Sequence, residues 1–316
     1  MDAILTLTMN PALDKSSTID RVAPEMKLRC DPPTWEPGGG GINVTRAVAK
    51  LGGTSTALYP AGGPQGQMLA ALLDEEDLDH QPVPVKNMTR ENFIVFEQAT
   101  GQQYRFGMPG ADISPAEWET CLDALRNCDP TPQYIVASGS LPPGVPTNFY
   151  ARVAGIAEEL GARMILDSSG DALQVAMSED GIHHPVYLLK PNMRELSQLA
   201  GLEVIENEQQ QEEAALSLIK SGKTDAVIVS LGAQGAMLVT ENACTRYRAP
   251  SVPVRSAVGA GDSMVGGIVL KLAQGHDLRD ATRYGIAAGS AAVMTDGTQL
   301  CRKDDTDALY QRISMD

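Results

Sequence analysis

Short apolar runs alternate with amphipathic runs along most of the chain. Seven runs of four to five residues predict strands at 4–8, 56–59, 134–138, 163–167, 187–190, 226–230 and 236–240. Eight runs with helical spacing predict helices at 42–51, 67–74, 147–160, 193–200, 208–220, 263–273, 278–294 and 304–313. Several predicted strands are almost wholly apolar, as in a parallel sheet that has helices on both faces. The pattern therefore predicts an α/β doubly wound fold.

Two segments interrupt this alternation. Residues 16–35 are polar, contain proline and have no helical period. Residues 92–97 and 102–106 are strand-like and flank a turn at 99–101, which predicts a β-hairpin. We expect both segments to form a small β-sheet lid, about residues 15–36 and 88–109, inserted in a single domain of residues 1–316. Such a sheet would cover the carboxyl edge of the main sheet, where open α/β sheets bind ligands.

Composition and charge limit the classes of partner. The 316 residues include 25 Lys and Arg against 40 Asp and Glu, giving a formal net charge of −15. This balance argues against nucleic acid and against anionic membranes as partners. No apolar run approaches the roughly 20 residues of a membrane span, and no signal peptide is recognisable, so a cytoplasmic protein is expected. The five cysteines are scattered without a Cys-x-x-Cys pair, which predicts free thiols.

The candidate chemistry centres on a glycine-rich run that ends in a carboxylate, Val258-Gly259-Ala260-Gly261-Asp262. It directly precedes a predicted helix, and free amides at a helix N-terminus bind anions. A carboxylate beside such an anion site suits phosphoryl transfer to a hydroxyl, with Asp262 as the base. The alternative is a tight turn in which Asp262 or Ser263 only caps the helix.

Two familiar nucleotide motifs do not fit the sequence. A dinucleotide fingerprint requires glycine three residues after Gly261, where Met264 stands. The Gly222-Lys223-Thr224 run follows a helical stretch instead of a strand, and Ser217 occupies the position of the first P-loop glycine.

A second cluster of four glycines, at residues 38–41, leads into the first predicted helix. Four consecutive glycines lose much conformational entropy on folding, which favours close approach to a ligand over a plain loop. Asn43 would lie in the first helical turn, where its amide could hydrogen-bond sugar hydroxyls. A flexible turn with Asn43 as a helix cap is the alternative.

The order of the two glycine motifs and their separation along the chain resemble the signatures of the ribokinase-like (PfkB-type) carbohydrate kinases. The resemblance spans the whole chain. In that family the aspartate of the second motif takes the proton of the acceptor hydroxyl, and the preceding amides hold the transferred phosphate. The resemblance assigns these roles to Asp262 and to Gly259, Ala260 and Gly261. It also assigns sugar contacts to Asp14, Gly39, Gly40, Gly41 and Asn43.

Further segments resemble the nucleotide side of the family's site, which implies ATP and Mg²⁺. Residues 190–195 resemble an Asn-x-x-Glu motif whose glutamate, here Glu195, organises Mg²⁺ through water, as suits a strongly hydrated cation. For Glu195 the alternative is an exposed acid that complements a helix dipole. Residues 230–235 resemble the nucleotide-binding loop. The implied nucleotide contacts are Lys190, Asn192, Arg194, Ser230, Gly232 and Gly235.

The acceptor side resembles that of the family's sugar-phosphate kinases. Residues 10–14, which end in Asp14, match the start of such enzymes. Arg90 precedes the first strand of the predicted hairpin and Arg105 lies on the second, and two guanidiniums brought together suit a terminal phosphate. The alternative is a pair of solvated strand arginines. Gly139 and Ser140 resemble residues that contact the same phosphate.

Residues 25–30, 37–43 and 104–110 resemble the bacterial minor 6-phosphofructokinases of this family. This implies transfer of the γ-phosphate of ATP to the 1-hydroxyl of fructose 6-phosphate. It also implies a homodimer built through the lids, in which Lys27 and Arg29 reach the neighbouring site. Tagatose-6-phosphate and fructose-1-phosphate kinases often carry lysine in the first glycine motif, where this chain has Gly40. Those two activities, and a non-catalytic sugar-phosphate sensor, remain as alternatives.

The resemblance also implies a monovalent cation, potassium, next to the anion site. Family members of this type hold it with backbone carbonyls and hydroxyls. The matching positions are Ser256, Val258, Ala292, Thr295, Gly297 and Gln299.

Overall fold

The computed structural model describes residues 3–313. Within them the strands are β1 Ile4–Leu7, β2 Ala12–Ile19, β3 Thr34–Gly38, β4 Thr56–Ala61, β5 His80–Pro84, β6 Arg90–Glu97, β7 Gln102–Phe106, β8 Tyr134–Ser138, β9 Arg163–Asp167, β10 Leu188–Leu189, β11 Ala226–Ser230, β12 Ala236–Thr240 and β13 Ala243–Tyr247. The helices are α1 Gly40–Lys50, α2 Gly63–Glu75, α3 Pro115–Arg126, α4 Phe149–Leu160, α5 Gly170–Met177, α6 Met193–Leu199, α7 Glu208–Lys220, α8 Ala260–Ala273, α9 Leu278–Ala292 and α10 Lys303–Tyr310.

Nine strands form the main sheet, in the spatial order β13-β12-β11-β10-β9-β8-β1-β4-β5. The strands from β11 to β5 pair in parallel, and β12 is antiparallel to both of its neighbours. All seven predicted strands and all eight predicted helices are present, with ends displaced by up to four residues. The predicted α/β fold with a mostly parallel sheet is confirmed.

Burial on both faces of the main sheet explains its apolar strands. In β8, Tyr134 and Val136 pack into the core beneath α1, α8, α9 and α10, whereas Ile135 and Ala137 pack into the core beneath α3 to α7. Each fully buried aliphatic side chain of this kind contributes roughly 1.5–3 kcal/mol. Successive strand residues point to opposite faces, so a strand covered on both sides must be apolar at every position.

The two interrupting segments form a separate four-stranded sheet, in the order β3-β2-β6-β7. β6 and β7 form the predicted hairpin, β2 lies parallel to β6, and β3 is antiparallel to β2. Four links join the small sheet to the core: the short segment from β1 to β2, Gly39 between β3 and α1, residues 85–89 between β5 and β6, and residues 107–114 between β7 and α3.

Helix α8 begins three residues earlier than predicted. Its N-cap is Gly259, whose φ of 72° lies in the left-handed region that glycine adopts without strain. Asp262 is consequently the third residue of the helix, and the alternative in which Asp262 or Ser263 is the cap is wrong.

Several simple expectations are met in the described part of the chain. All five cysteines are free. Lys223 is buried and donates to the backbone oxygens of Glu179 (3.0 Å) and Ile182 (2.8 Å), a structural role that agrees with the excluded P-loop. Between residues 3 and 313, no helix is long and apolar enough to cross a membrane.

Candidate active site

The two glycine motifs meet where helices α1 and α8 begin. Asn43 Nδ2 donates to Asp262 Oδ2 over 2.8 Å. The two helices can approach because α8 carries Gly266, where an added Cβ would lie 2.8 Å from the Cβ of Ala47. Asn43, predicted to meet sugar hydroxyls, therefore also holds the candidate base in place.

Asp262 lies in an environment that favours its protonated form. Burial raises the pKa of Asp262 to about 6, and the nearby Asp167 carboxylate acts in the same direction. The hydrogen bond from Asn43 and the charges of Lys190 and Arg105 oppose this rise. A carboxylate with such a pKa is ionised at neutral pH yet more basic than an ordinary aspartate, which suits a general base.

Lys190 pairs with a carboxylate that the sequence analysis missed. Lys190 Nζ lies 3.0 Å from Asp167 Oδ1, and both side chains are largely buried. Burial alone would lower the pKa of Lys190, but the Asp167 charge raises it overall. A Cβ built on Gly261 would lie 3.8 Å from Lys190 Nζ, so the ammonium group lies beside the first turn of α8. An ammonium group next to the positive end of a helix is suited to binding an anion.

The Asn-x-x-Glu segment forms the start of α6. Asn192 Oδ1 accepts from the Glu195 amide (2.9 Å), and Glu195 Oε2 accepts from the Asn192 amide (2.8 Å), a capping box. Burial and the Asp167 charge raise the pKa of Glu195. Glu195 is therefore a half-buried carboxylate beside the Lys190–Asp167 pair. The alternative was right that Glu195 is an acid in the first turn of a helix, and wrong that it is fully exposed. Arg194 is exposed.

The candidate nucleotide loop follows β11 and lies beside α6. The Ser230 amide donates to the Pro191 oxygen over 3.0 Å, which joins this loop to the start of the Asn192 capping box. Gly235 is required by packing, because a Cβ there would lie 1.9 Å from the Tyr247 oxygen. An added Cβ at Gly232 would meet nothing within 4 Å, so this glycine faces open space.

The first glycine cluster is packed against the protein itself. An added Cβ at Gly40 would lie 2.3 Å from Ser138 Oγ, and one at Gly41 would lie 2.6 Å from Thr8 Oγ1. At Gly39, with φ of 114°, it would lie 2.7 Å from Thr8 Cγ2. The expectation that ligand approach explains these glycines was incomplete, since they let α1 begin close against the ends of β1 and β8.

Asp14 and Arg105, which are predicted to contact the sugar phosphate, lie on one face of the small sheet. Asp14 on β2 pairs in register with Asn92 on β6, and Arg105 on β7 pairs with Ile94, two residues along β6. Burial raises the pKa of Asp14, whereas the Asn92 hydrogen bond and the charges of Arg90 and Arg105 oppose the rise. Arg105 affects both Asp14 and Asp262 electrostatically, so it bridges the two halves of the site.

Arg90 is held by backbone carbonyls. Its guanidinium donates to the oxygens of Met108 (2.6 Å) and Asn10 (2.9 Å). Its Nε is buried without a hydrogen-bond partner. Asp14 lies near both Arg90 and Arg105 and is a counter-charge for them. The partnerless Nε nevertheless leaves a donor for a ligand oxygen.

Gly139 and Ser140 lie in the loop after β8, close to the Arg90 anchor. The Gly139 oxygen accepts from Tyr150 Oη (2.7 Å) and Ser168 Oγ (3.0 Å), which fixes the loop. Asn10, whose oxygen holds Arg90, also donates from Nδ2 to Ser140 Oγ over 3.2 Å. Arg90 and Ser140 therefore share one supporting residue.

Within one chain, the structure places neither Lys27 nor Arg29 at this site. Both lie in the exposed loop between β2 and β3. Among the described residues, no hydrogen bond or ion pair joins either side chain to the cleft. Their predicted reach into a neighbouring subunit stays a prediction.

The six predicted cation positions lie in two adjoining parts of the chain. Ser256 and Val258 precede α8, and Thr295, Gly297 and Gln299 follow Ala292, the last residue of α9. Thr295 Oγ1 lies 2.7 Å from the oxygens of both Ala292 and Gln299. Ser256 Oγ donates to the Gly297 oxygen over 2.6 Å and accepts from the Val258 amide over 3.2 Å. The polar groups of this cluster are carbonyls and hydroxyls, the oxygen donors that hard cations bind, and Val258 directly precedes Gly259, the N-cap of α8.

Comparison with known proteins identifies close relatives. An "ATP-dependent 6-phosphofructokinase isozyme 2" of Mycobacterium tuberculosis is 46% identical over 308 residues, covering 98% of this chain and 89% of the relative. The protein of the same name from Escherichia coli is 44% identical over 314 residues, covering 99% and 100%.

Solved structures agree. Phosphofructokinase-2 from Escherichia coli, crystallised with potassium, has a TM-score of 0.94 at 43% identity, and the same protein with fructose-6-phosphate has 0.91 at 42%, each covering 99% of both chains. An Arabidopsis thaliana ribokinase, 21% identical, shares the fold with a TM-score of 0.76 over 98% of this chain and 99% of its own. The sequence pattern of the pfkB family carbohydrate kinases matches residues 7–305. The chain therefore belongs to the pfkB family of carbohydrate kinases.

Proposed function

We propose that this protein is an ATP-dependent 6-phosphofructokinase, which transfers the γ-phosphate of ATP to the 1-hydroxyl of fructose 6-phosphate. The observation that carries the proposal is the position of Asp262. It lies in the first turn of α8, held by Asn43, with Lys190 on the core side and Arg105 on the side of the small sheet. The names of the relatives at 44–46% identity support the same activity. Both substrates are multiply charged and do not cross bilayers unaided, which supports a cytoplasmic location.

Asp262 would act as the general base. Its carboxylate accepts the proton of the 1-hydroxyl as that oxygen bonds to the γ-phosphorus, and the bond from that phosphorus to the bridging oxygen of ADP breaks. The products are fructose 1,6-bisphosphate and ADP, and the proton leaves from Asp262 to solvent. Its pKa of about 6 keeps the base ionised at neutral pH.

Charge on the transferred group would be stabilised by the start of α8. The first amides of an α-helix have no intrahelical acceptor, so those of Gly259, Ala260 and Gly261 are available to phosphate oxygens. Lys190 adds a positive charge beside Gly261. The largely buried carboxylate of Asp167 and the half-buried carboxylate of Glu195 suit a hydrated Mg²⁺, which when bound neutralises phosphate charge.

The sugar phosphate would bind between the small sheet and the loop after β8. Asp14 can accept from sugar hydroxyls, and the partnerless Nε of Arg90 can donate to a phosphate oxygen. Arg105 and Ser140 complete the set of donors. A lysine within the glycine motif is disfavoured, because a Cβ at position 40 would collide with Ser138 Oγ. The absence of that lysine, which tagatose-6-phosphate and fructose-1-phosphate kinases often carry, supports fructose 6-phosphate as the acceptor.

Two further features belong to the same proposal. The cluster of Ser256, Thr295 and neighbouring carbonyls would hold potassium, as supported by the related structure crystallised with that ion. The small sheet would form a homodimer interface, supported by its exposed apolar side chains. These include Phe96 and Phe106, which are 41% and 50% exposed, and Phe106 stacks on Phe93.

A coupled assay of ADP release tests the activity. We expect the highest kcat/KM for fructose 6-phosphate, compared with tagatose 6-phosphate and fructose 1-phosphate, and fructose 1,6-bisphosphate as the product by ³¹P NMR. A higher kcat/KM for either other substrate would overturn the assignment. Calorimetric binding of the sugar phosphate without ADP release would instead indicate a non-catalytic sensor.

The role of Asp262 is tested by Asp262→Asn. We expect kcat to fall by about 10²–10⁴-fold, the usual contribution of a general base. Asp304→Asn is the matched control, since Asp304 is an exposed acid in the first turn of α10 and should leave kcat unchanged. Near-normal turnover of Asp262→Asn would refute the proposed mechanism.

A further inference from the structure

The side chain of Asn92 occupies a position between the two substrate-contacting groups of the small sheet. Its Nδ2 donates to Asp14 Oδ1 over 2.8 Å, and its Oδ1 accepts from the Met108 amide over 3.2 Å. The oxygen of the same Met108 accepts from Arg90 Nη1 over 2.6 Å. The Asn92 side chain is thus hydrogen-bonded directly to Asp14 and, through the backbone of Met108, to Arg90.

The direction of these hydrogen bonds explains why an amide is needed at position 92. The Met108 N–H can only donate, so it fixes Oδ1 of Asn92 as the acceptor. Only the NH₂ group then remains to face Asp14. The carboxylate of Asp14 is confined on its other side, because Gly38 lies so close that an added Cβ would be 2.3 Å from Asp14 Oδ2. Asn92 and Gly38 together leave the carboxylate one orientation.

The charged groups around Asp14 also indicate that Asn92 influences the Asp14 carboxylate. Arg90, Arg105 and Glu36 are the charged groups that act on Asp14, and the Asn92 hydrogen bond is the strongest influence that favours its ionised form. An ionised carboxylate accepts from sugar hydroxyls more strongly than a protonated one.

We propose that Asn92 is the positioning residue of the acceptor site, which orients Asp14 and the 107–110 segment that anchors Arg90. The inference rests on the proposed function, since it assumes that Asp14 and Arg90 contact the sugar phosphate. Asn92 itself acts through these neighbours and lies outside the phosphoryl-transfer centre. Its loss should therefore raise KM for the sugar phosphate and leave kcat nearly intact.

The variant Asn92→Asp tests the proposal through its pH dependence. At about pH 8 two carboxylates would face each other, and their repulsion should raise KM for fructose 6-phosphate by about tenfold or more relative to wild type, with kcat changed less than about threefold. At about pH 6 one of the pair would be protonated and could donate an O–H to the other, as the amide does, so the KM ratio to wild type should shrink. Damage to the fold alone would give the same ratio at both pH values.

Two further variants make the test decisive. Asn92→Leu removes the hydrogen bonds without adding charge and should raise KM equally at both pH values. Gln98→Glu adds the same charge at the exposed far end of β6, and it should change neither KM nor kcat. The dissociation constant for fructose 6-phosphate, measured by calorimetry, provides the second readout. If wild type binds the sugar phosphate and Asn92→Asp binds it equally well at about pH 8, this inference is wrong. If wild type neither binds nor phosphorylates it, the proposed function fails as well.

Discussion

The side-chain amide of Asn43 donates a 2.8 Å hydrogen bond to the carboxylate of Asp262, across 219 positions of sequence. The contact joins the N-terminal turns of α1 and α8. Because the donor is neutral, Asp262 is oriented without the large decrease in pKa that a directly paired arginine would cause. A half-buried carboxylate can in this way remain basic and still keep a defined direction.

The first prediction concerns the pH dependence of activity. Asp262 must be ionised to accept a proton, so kcat/KM should fall as the pH decreases through about 6. The Asn43 hydrogen bond lowers the pKa of Asp262, so Asn43→Leu should move this acid limb to higher pH. A pH profile of kcat/KM measures the shift, with Asn127→Leu, an exposed helix-end asparagine, as the control. An unmoved limb would mean that Asn43 does not set the basicity of Asp262.

The second prediction concerns stability. The folded state raises the pKa of Asp262 from its ordinary value of 3.8 to about 6, so the folded state binds a proton more tightly than the unfolded chain. This contribution to stability is complete below about pH 4 and is lost as the pH rises through about 6. Asp262→Asn should therefore melt above wild type at about pH 8, and the difference should shrink toward about pH 4. Melting temperatures across that range give the comparison, and a less stable variant at high pH would contradict it.

The third prediction separates stability from catalysis at the Lys190–Asp167 pair. Lys190→Met would leave Asp167 buried without its partner and should lower the free energy of unfolding by about 3–5 kcal/mol. The double variant with Asp167→Asn should recover much of that loss, because the unpaired charge is gone. It should not recover kcat, because the ammonium group beside α8 is still missing. Urea denaturation and the ADP-release assay measure both effects, and equal instability of the single and double variants would refute the argument.

The fourth prediction tests the packing of the first glycine motif. Gly40→Ala places a Cβ 2.3 Å from Ser138 Oγ and 2.9 Å from the Gly139 nitrogen, and should destabilise the protein by about 1–3 kcal/mol. Gly155→Ala is the matched helical control, because an added Cβ there meets nothing within 4 Å. It should stabilise by roughly 0.5–1 kcal/mol, the helix preference of alanine over glycine. Similar effects of the two substitutions would show that close packing does not explain Gly40.

The sequence predicted the fold correctly where a pattern of apolar and polar residues is compatible with few structures. Apolar runs of strand length separated by amphipathic runs admit little besides a covered parallel sheet. Helix α3 was missed although Ser114, Pro115 and Glu117 form a recognisable helix start, followed by buried Trp118 and Leu122. Strands β5 and β13 were missed for a physical reason. They lie at the two edges of the main sheet. Strand β5 is mostly exposed and contains two prolines, and β13 is only half-buried, so neither has a buried strand's composition.

Pairwise contacts of side chains were the part that the sequence could not provide. Asp167 had a usable signal, since it ends a predicted strand at the sheet edge where ligands bind. Asn92 had none, because its role depends on the register between β2 and β6 and on the position of Met108. The same holds for the glycines at 39–41, whose neighbours come from Thr8 and Ser138.

The division of the chain into a main sheet and a small sheet has an evolutionary consequence. On the proposed function, three of the residues that recognise the sugar phosphate, Asp14, Arg90 and Arg105, lie on the small sheet, whereas Asp262 and Lys190 belong to the core. Acceptor preference and phosphoryl transfer can therefore vary independently during descent. Substitutions on the four strands of the small sheet would change how a related kinase binds its acceptor while its ancestral catalytic centre is inherited unchanged.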